Sequence, residues 1–222
     1  MRALRAKIAV LMLSCAAALP AAAADLDDAP RTLEIAPFAG FFWSSQVATS
    51  SGPVAFSPTA DAGLTLGFPV DEKSQVEVLY VFARPQARFD STSPAYASTP
   101  WFGVTTQYLQ VGGTVNFSAT ERVEPFFGGG LGLAWFSPSD VAAQGSPTLQ
   151  PADTWLFAFN LGLGVKWFLS RAVGIRAEAR VLMPVYFASG AFLSGPNGAA
   201  LTVNAGIPLV QGDLSVALVL SP

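Results

Sequence analysis

No histidine occurs among the 222 residues, and there is a single cysteine. The first absence excludes imidazole-ligated metal sites and His-dependent catalytic triads. The second excludes a disulfide scaffold. Charge is also scarce: Asp, Glu, Lys and Arg make up 12% of the chain, about half the usual share. With a net charge of −3 and no Lys/Arg cluster in the body, nucleic acid is not an expected partner. Nor does the body contain an uninterrupted apolar run long enough for a spanning helix. Yet 51% of the residues are hydrophobic and the mean hydropathy is +0.44. A chain of this composition buries or partitions much apolar surface, which excludes intrinsic disorder.

The first 24 residues read as an address. Arg2, Arg5 and Lys7 form a basic start, Ile8 to Leu19 an apolar stretch, and Ala22-Ala23-Ala24 a small-residue site before Asp25. That is the anatomy of a secretory signal peptide over 1–24. Cys15 offers a lipoprotein site as the alternative, but the apolar stretch continues past it. Removal of 1–24 leaves residues 25–222 as one domain with 9 Lys+Arg against 15 Asp+Glu and no cysteine, which suits an oxidising exported location.

The body alternates with period two. From Trp155 to Trp167 the odd positions are Trp, Phe, Phe, Leu, Leu, Val and Trp, while the even ones are small or polar apart from Leu156. Val173 to Val185 alternates apolar residues with Arg176, Glu178 and Arg180. Period two means strand, not helix. In a water-soluble barrel the apolar rows would face inward. These rows are long and aromatic, and the opposite rows are small and charged, so the inverse arrangement fits: apolar out, polar in, as in a transmembrane barrel. The 12-residue spacing of Trp155 and Trp167 spans roughly 40 Å along a strand. A tilt near 45° reduces that to about 28 Å, close to the apolar band of an outer-membrane barrel.

These rows predict an all-β fold, an eight-stranded antiparallel up-and-down transmembrane β-barrel. The strands are expected at 31–43, 61–70, 75–87, 104–117, 123–136, 153–168, 173–187 and 211–220. Short connections alternate with long ones, the rule for periplasmic turns and external loops. The strand-like stretch 200–209 is assigned to the last long connection as a hairpin, because a ninth span would break the parity. An aromatic girdle is expected from Trp43, Trp135 and Trp155 at one end and Phe68, Phe117 and Trp167 at the other. Slips in parity are expected, if anywhere, at Pro85, Pro125 and Pro184.

The run Val123-Glu-Pro-Phe-Phe-Gly-Gly-Gly-Leu-Gly-Leu resembles the glycine-rich strand of the small outer-membrane β-barrel family, the OmpA/OmpW-like set. The run from Phe159 to Ser170, followed by Val173-Gly-Ile-Arg-Ala-Glu-Ala-Arg, is similar to that family's hairpin. Gln75 to Tyr80 and Gln107 to Thr114 resemble its third and fourth strands. The resemblance covers most of 31–220 and implies the fold and an outer-membrane location in a Gram-negative bacterium. It implies lipid, the barrel assembly machinery and periplasmic chaperones as partners. Family members usually end in an aromatic residue, whereas this sequence closes Val216-Ala-Leu-Val-Leu-Ser-Pro222.

Strand parity places Glu34, Glu77, Glu124, Lys166, Arg176, Glu178 and Arg180 in the lumen. Isolated charges there would be costly, so a paired network is expected. It either plugs the tube or gates a narrow ion path, and an eight-stranded barrel is just wide enough for side chains to fill. No nucleophile–base pair is present, and Gly128-Gly129-Gly130 lacks the lysine and helix of a phosphate loop. Neither an enzyme nor a cofactor is expected. The leading reading is a monomeric barrel with a structural or surface-interaction role carried by its long loops. The alternatives are a narrow ion or small-solute channel and a soluble periplasmic lipocalin-like binder.

Overall fold

The computed structural model describes residues 33–49, 52–89, 102–117, 122–139, 150–151, 153–185, 190–194, 200–203 and 209–222. The expected signal peptide, the strand ends at 31–32 and 186–187, and 204–208 of the last connection lie outside them. Among the described residues, eight long strands form the wall. In chain order they are β1 (Glu34–Ser44), β2 (Thr59–Pro69), β3 (Ser74–Ala83), β4 (Phe102–Asn116), β5 (Val123–Pro138), β6 (Thr154–Phe168), β7 (Val173–Val185) and β8 (Gln211–Leu220). Each pairs antiparallel with its sequence neighbours. β1 pairs with β8, from Ile35 opposite Leu220 to Ser44 opposite Gln211, and this closes the tube. A closed sheet has no edge, so every backbone donor finds a partner without water, as a lipid-embedded wall requires.

The alternation read from the sequence sets the two faces. On β6, Trp155, Phe159, Leu161, Leu163, Val165 and Trp167 are exposed. Lys166 and Phe168, on the opposite row, are buried. On β7, Ile175 and Val181 face out while Arg176, Glu178, Arg180 and Leu182 are buried. The exposed row is the apolar one and the buried row carries the charge, the reverse of a water-soluble barrel. A lipocalin-like cavity lined by the apolar rows is therefore not what this chain builds.

The prolines leave the parity intact. Pro125 and Pro184 sit within β5 and β7, and the cross-strand register to β6 runs unbroken through both. Pro85 ends β3, since its nitrogen cannot donate to a ladder. The expected strand 75–87 is thus two pieces, β3 and Gln86–Phe89, with Val104 N donating to the Pro85 carbonyl (2.9 Å) between them.

Two short connections are held by local hydrogen bonds. In the β2–β3 turn, Lys73 N and Ser74 N donate to Asp71 Oδ1 at 2.8 and 2.7 Å, and these backbone donors hold the Asp71 carboxyl below the usual carboxylate range. In the β6–β7 turn, Leu169 N and Ser170 N donate to the Val173 carbonyl, and Ser170 Oγ accepts from Val173 N. At the other end the wall continues as a collar of short strands. Val47–Thr49 pairs with Gly52–Phe56, which pairs with Gln86–Phe89. Gly190–Ser194 pairs with Ala200–Val203. Residues 200–203 therefore belong to a hairpin in the last long connection, while β7 and β8 pair directly with each other below it.

Leu131, exposed near the middle of β5, tests which face meets lipid. Leu131→Arg is expected to lower folding stability in lipid vesicles by about 2–4 kcal/mol, the cost of a cation near the bilayer midplane. Denaturant titration of the vesicle-inserted barrel reads this directly.

Candidate functional site in the lumen

The lumen is filled in two different ways along its length. Toward the turn end a chain of charged side chains crosses it. Lys166 Nζ donates to Glu34 Oε2 (2.6 Å) and to Gln75 Oε1 (3.1 Å). Gln75 Nε2 donates to Glu77 Oε1 (2.8 Å). Arg176 meets Glu77 through both terminal nitrogens, at 2.6 and 3.1 Å. Its Nε donates to Glu178 Oε2 at 3.0 Å. Arg180 closes on the other side of Glu178, Nη2 to Oε2 at 2.6 Å, and its Nη1 reaches Asp213 Oδ2 at 2.6 Å. The chain ties together β1, β3, β6, β7 and β8. Such pairs are bidentate or charge-assisted, the geometry that offsets the desolvation of buried ions.

Six of the seven charged residues picked from the sequence are buried here: Glu34, Glu77, Lys166, Arg176, Glu178 and Arg180. Glu124 takes the first inward position of β5, in register with Lys166, and is half-buried at the rim. Sequence reading missed two members. Asp61 on β2 and Asp213 on β8 are both buried, at 4% and 0% exposure. The signal was present: Asp213 and Ser215 alternate with Leu214, Val216 and Leu218. The inward rows of β2 and β8 were simply not assigned.

Aromatic rings pack against the cations. The Arg176 guanidinium lies 4.2 Å from the Phe126 ring centroid, and Arg180 lies 5.3 Å from that of Phe38, within cation–π range. Phe126 can lie across the tube because Gly164 has no side chain: a Cβ there would stand 2.6 Å from Phe126 Cζ.

Toward the loop end the filling is apolar. Phe42, Val81, Val104, Tyr108, Ala134, Phe136 and Leu182 are buried. Tyr108 and Phe136 meet edge-on at 6.3 Å. The Tyr108 hydroxyl donates to Gln211 Oε1, whose Nε2 donates to Ser44 Oγ at 3.2 Å. Between the two halves Asn160 Nδ2 donates to Gln110 Oε1 at 2.8 Å. A void bounded by Gln110, Thr114, Asn160, Glu178 and Arg180 measures about 20 Å³, room for roughly one water. Among the described residues, no three His, Cys, Asp or Glu side chains group as metal ligands.

On the outer face the six aromatics lie at the two ends of the wall. Trp135 and Trp155 are opposite in register and stack at 5.0 Å, with Trp43 at the same end on β1. Phe68, Phe117 and Trp167 are exposed near the turns. Tyr80 adds to the loop-end group at 6.5 Å from Trp135.

No family model matches the sequence, and no curated protein is similar to it. Solved structures do match. Neisserial surface protein A superposes with a TM-score of 0.55 at 14% identity, over 86% of this chain and 97% of that one. The outer membrane protein AlkL, solved in DMPC lipid bilayers, superposes at 0.53 and 13% identity, over 89% and 95%. At such identities the likeness is one of fold. The chain has the fold of an outer-membrane β-barrel, and its exposed apolar belt is the surface such a barrel turns to lipid.

Three substitutions test the lumen packing. Arg176→Met leaves Glu77 without its cation and Glu178 with Arg180 alone, and is expected to cost about 3–5 kcal/mol. Adding Glu77→Gln to it should recover part of the loss in a double-mutant cycle. Gly164→Ala should cost about 1–3 kcal/mol by driving a methyl against the Ala177 carbonyl oxygen and the Phe126 ring. All are read from denaturant midpoints of the refolded barrel.

Proposed function

We propose that the chain is a small monomeric outer-membrane barrel of the OmpA/OmpW-like set, with a plugged lumen and a non-enzymatic structural or surface-interaction role. One observation carries this reading: the ion-pair chain and the apolar layer are stacked along one narrow tube. A solvated ion would have to separate charge-assisted pairs and then cross buried rings. Both steps are costly in a site that excludes water. What remains free to meet a partner is the long-connection end, where the wall rises as a collar of short strands. Loops on a rigid scaffold are where binding residues concentrate.

Export by the signal peptide, removed at Ala24, and insertion by the barrel assembly machinery after escort by periplasmic chaperones complete the reading. The turns then face the periplasm and the collar faces outward, as the length rule for such barrels has it. The continuous run of charge from Glu34 to Asp213 favours one second reading, a gated narrow ion path.

Planar-bilayer recording of the refolded barrel separates the two, with folding first verified by the heat-dependent gel shift. The plug reading expects inserted protein with no stepwise current. Reproducible steps in the wild type, larger in Arg180→Ala, would overturn it in favour of the gate.

A further inference from the structure

Five buried carboxylates face three buried cations in the described lumen: Glu34, Asp61, Glu77, Glu178 and Asp213 against Lys166, Arg176 and Arg180. The imbalance is concentrated at one place. Glu34, Glu77 and Glu178 each hold a cation, and Asp213 gives Oδ2 to Arg180. Asp61 Oδ1 and Oδ2 and Asp213 Oδ1 are buried with no hydrogen-bond partner. Two of these orphan atoms converge. Asp61 Oδ1 and Asp213 Oδ1 lie 2.7 and 2.9 Å from the point where a Gly40 Cβ would sit, and the Leu214 carbonyl oxygen lies 2.6 Å from it. Gly40 is opposite Asp61 on one side and Ser215 on the other, so its missing side chain leaves the space into which the carboxylates lean.

The surroundings do not balance the pair. From β7 it is faced by Arg180, already shared with Glu178, and by Glu178 itself. On β1, Gly40 is in register with Asp61 and Phe42 with Asp213, and β8 adds the Ser215 hydroxyl, 3.5 Å from Asp213 Oδ2. A buried carboxylate with no donor is costly, and two side by side are more so. We propose that Asp61 and Asp213 form a binding site for one small positive charge, held between their Oδ1 atoms beside Gly40. A proton or a small monovalent cation such as Na⁺ or K⁺ supplies the same chemistry: one positive charge that satisfies both orphan oxygens.

The experiment follows the gel-shift midpoint of the refolded, full-length mature barrel at constant ionic strength. One series replaces choline by Na⁺ or K⁺ at mildly alkaline pH. A second lowers the pH in choline alone. A rise in wild-type midpoint in the first series identifies a metal cation. A rise confined to the second identifies a proton, which also shows as a protonated-carboxyl stretch in the infrared spectrum. Asp61→Asn removes one charge at constant shape, and its amide can donate to Asp213. It is expected to melt at or above the wild type in choline at mildly alkaline pH, with the wild-type response and the carboxyl band lost. An Asp61→Asn barrel that responds to cation and pH as the wild type does would overturn the proposal. So would a wild-type barrel with no response in either series and no protonated carboxyl, a result that needs no variant.

Discussion

Closing eight strands on themselves creates the constraint from which the rest of this structure follows. The inner row of each strand loses water and the outer row loses it to lipid, so the two rows answer to opposite rules. Outside, a residue must be apolar, and Leu109, Val111, Leu131, Leu163 and Val216 are exposed without penalty. Inside, a residue is least costly when it is small, apolar or hydrogen-bonded. Arg176 meets that demand by holding Glu77 and Glu178 together and lying over Phe126.

The two halves of the lumen solve the same packing problem with different chemistry. The turn half uses ions that bridge strands far apart in sequence: Lys166 to Glu34 joins β6 to β1 across the tube. Such pairs specify which strands face each other, because a slipped register would leave a buried charge alone. The loop half uses shape. Tyr108, Phe136, Phe42 and Leu182 fill it, and a polar chain among them runs from Tyr108 through Gln211 to Ser44.

Much of this was legible because period-two alternation is an unambiguous signal when one row is aromatic and the other charged. β6 and β7 show it best: their inward Lys166, Arg176, Glu178 and Arg180 could be named from parity alone. The outward positions of Trp155 and Trp167 were legible for the same reason. Asp61 and Asp213 were legible in principle: β2 sets Ala60, Ala62, Leu64, Leu66 and Phe68 against Asp61, Gly63, Thr65 and Gly67, with Asp61 as its one charge. The pairing partners were not legible. Parity places Glu77 inside, but only the tilt and stagger of the closed wall decide that it meets Arg176 on the far side. Nor could parity show that Asp61 would be left without a donor. The break at Arg84 and Pro85 was readable as a site of change, yet the strand resumes beyond it in phase.

On the reading proposed above, the charged inner row is sealed from water while the opposite row meets lipid. Water-edited solid-state NMR of the barrel in bilayers tests it most directly. A sealed lumen gives slow polarisation transfer from water to the Arg176 and Arg180 guanidinium groups, fast transfer to Lys73 in the turn, and acyl-chain contacts at Leu131 and Leu163. Transfer to Arg176 and Arg180 as fast as to Lys73 would mean a hydrated lumen and would contradict it.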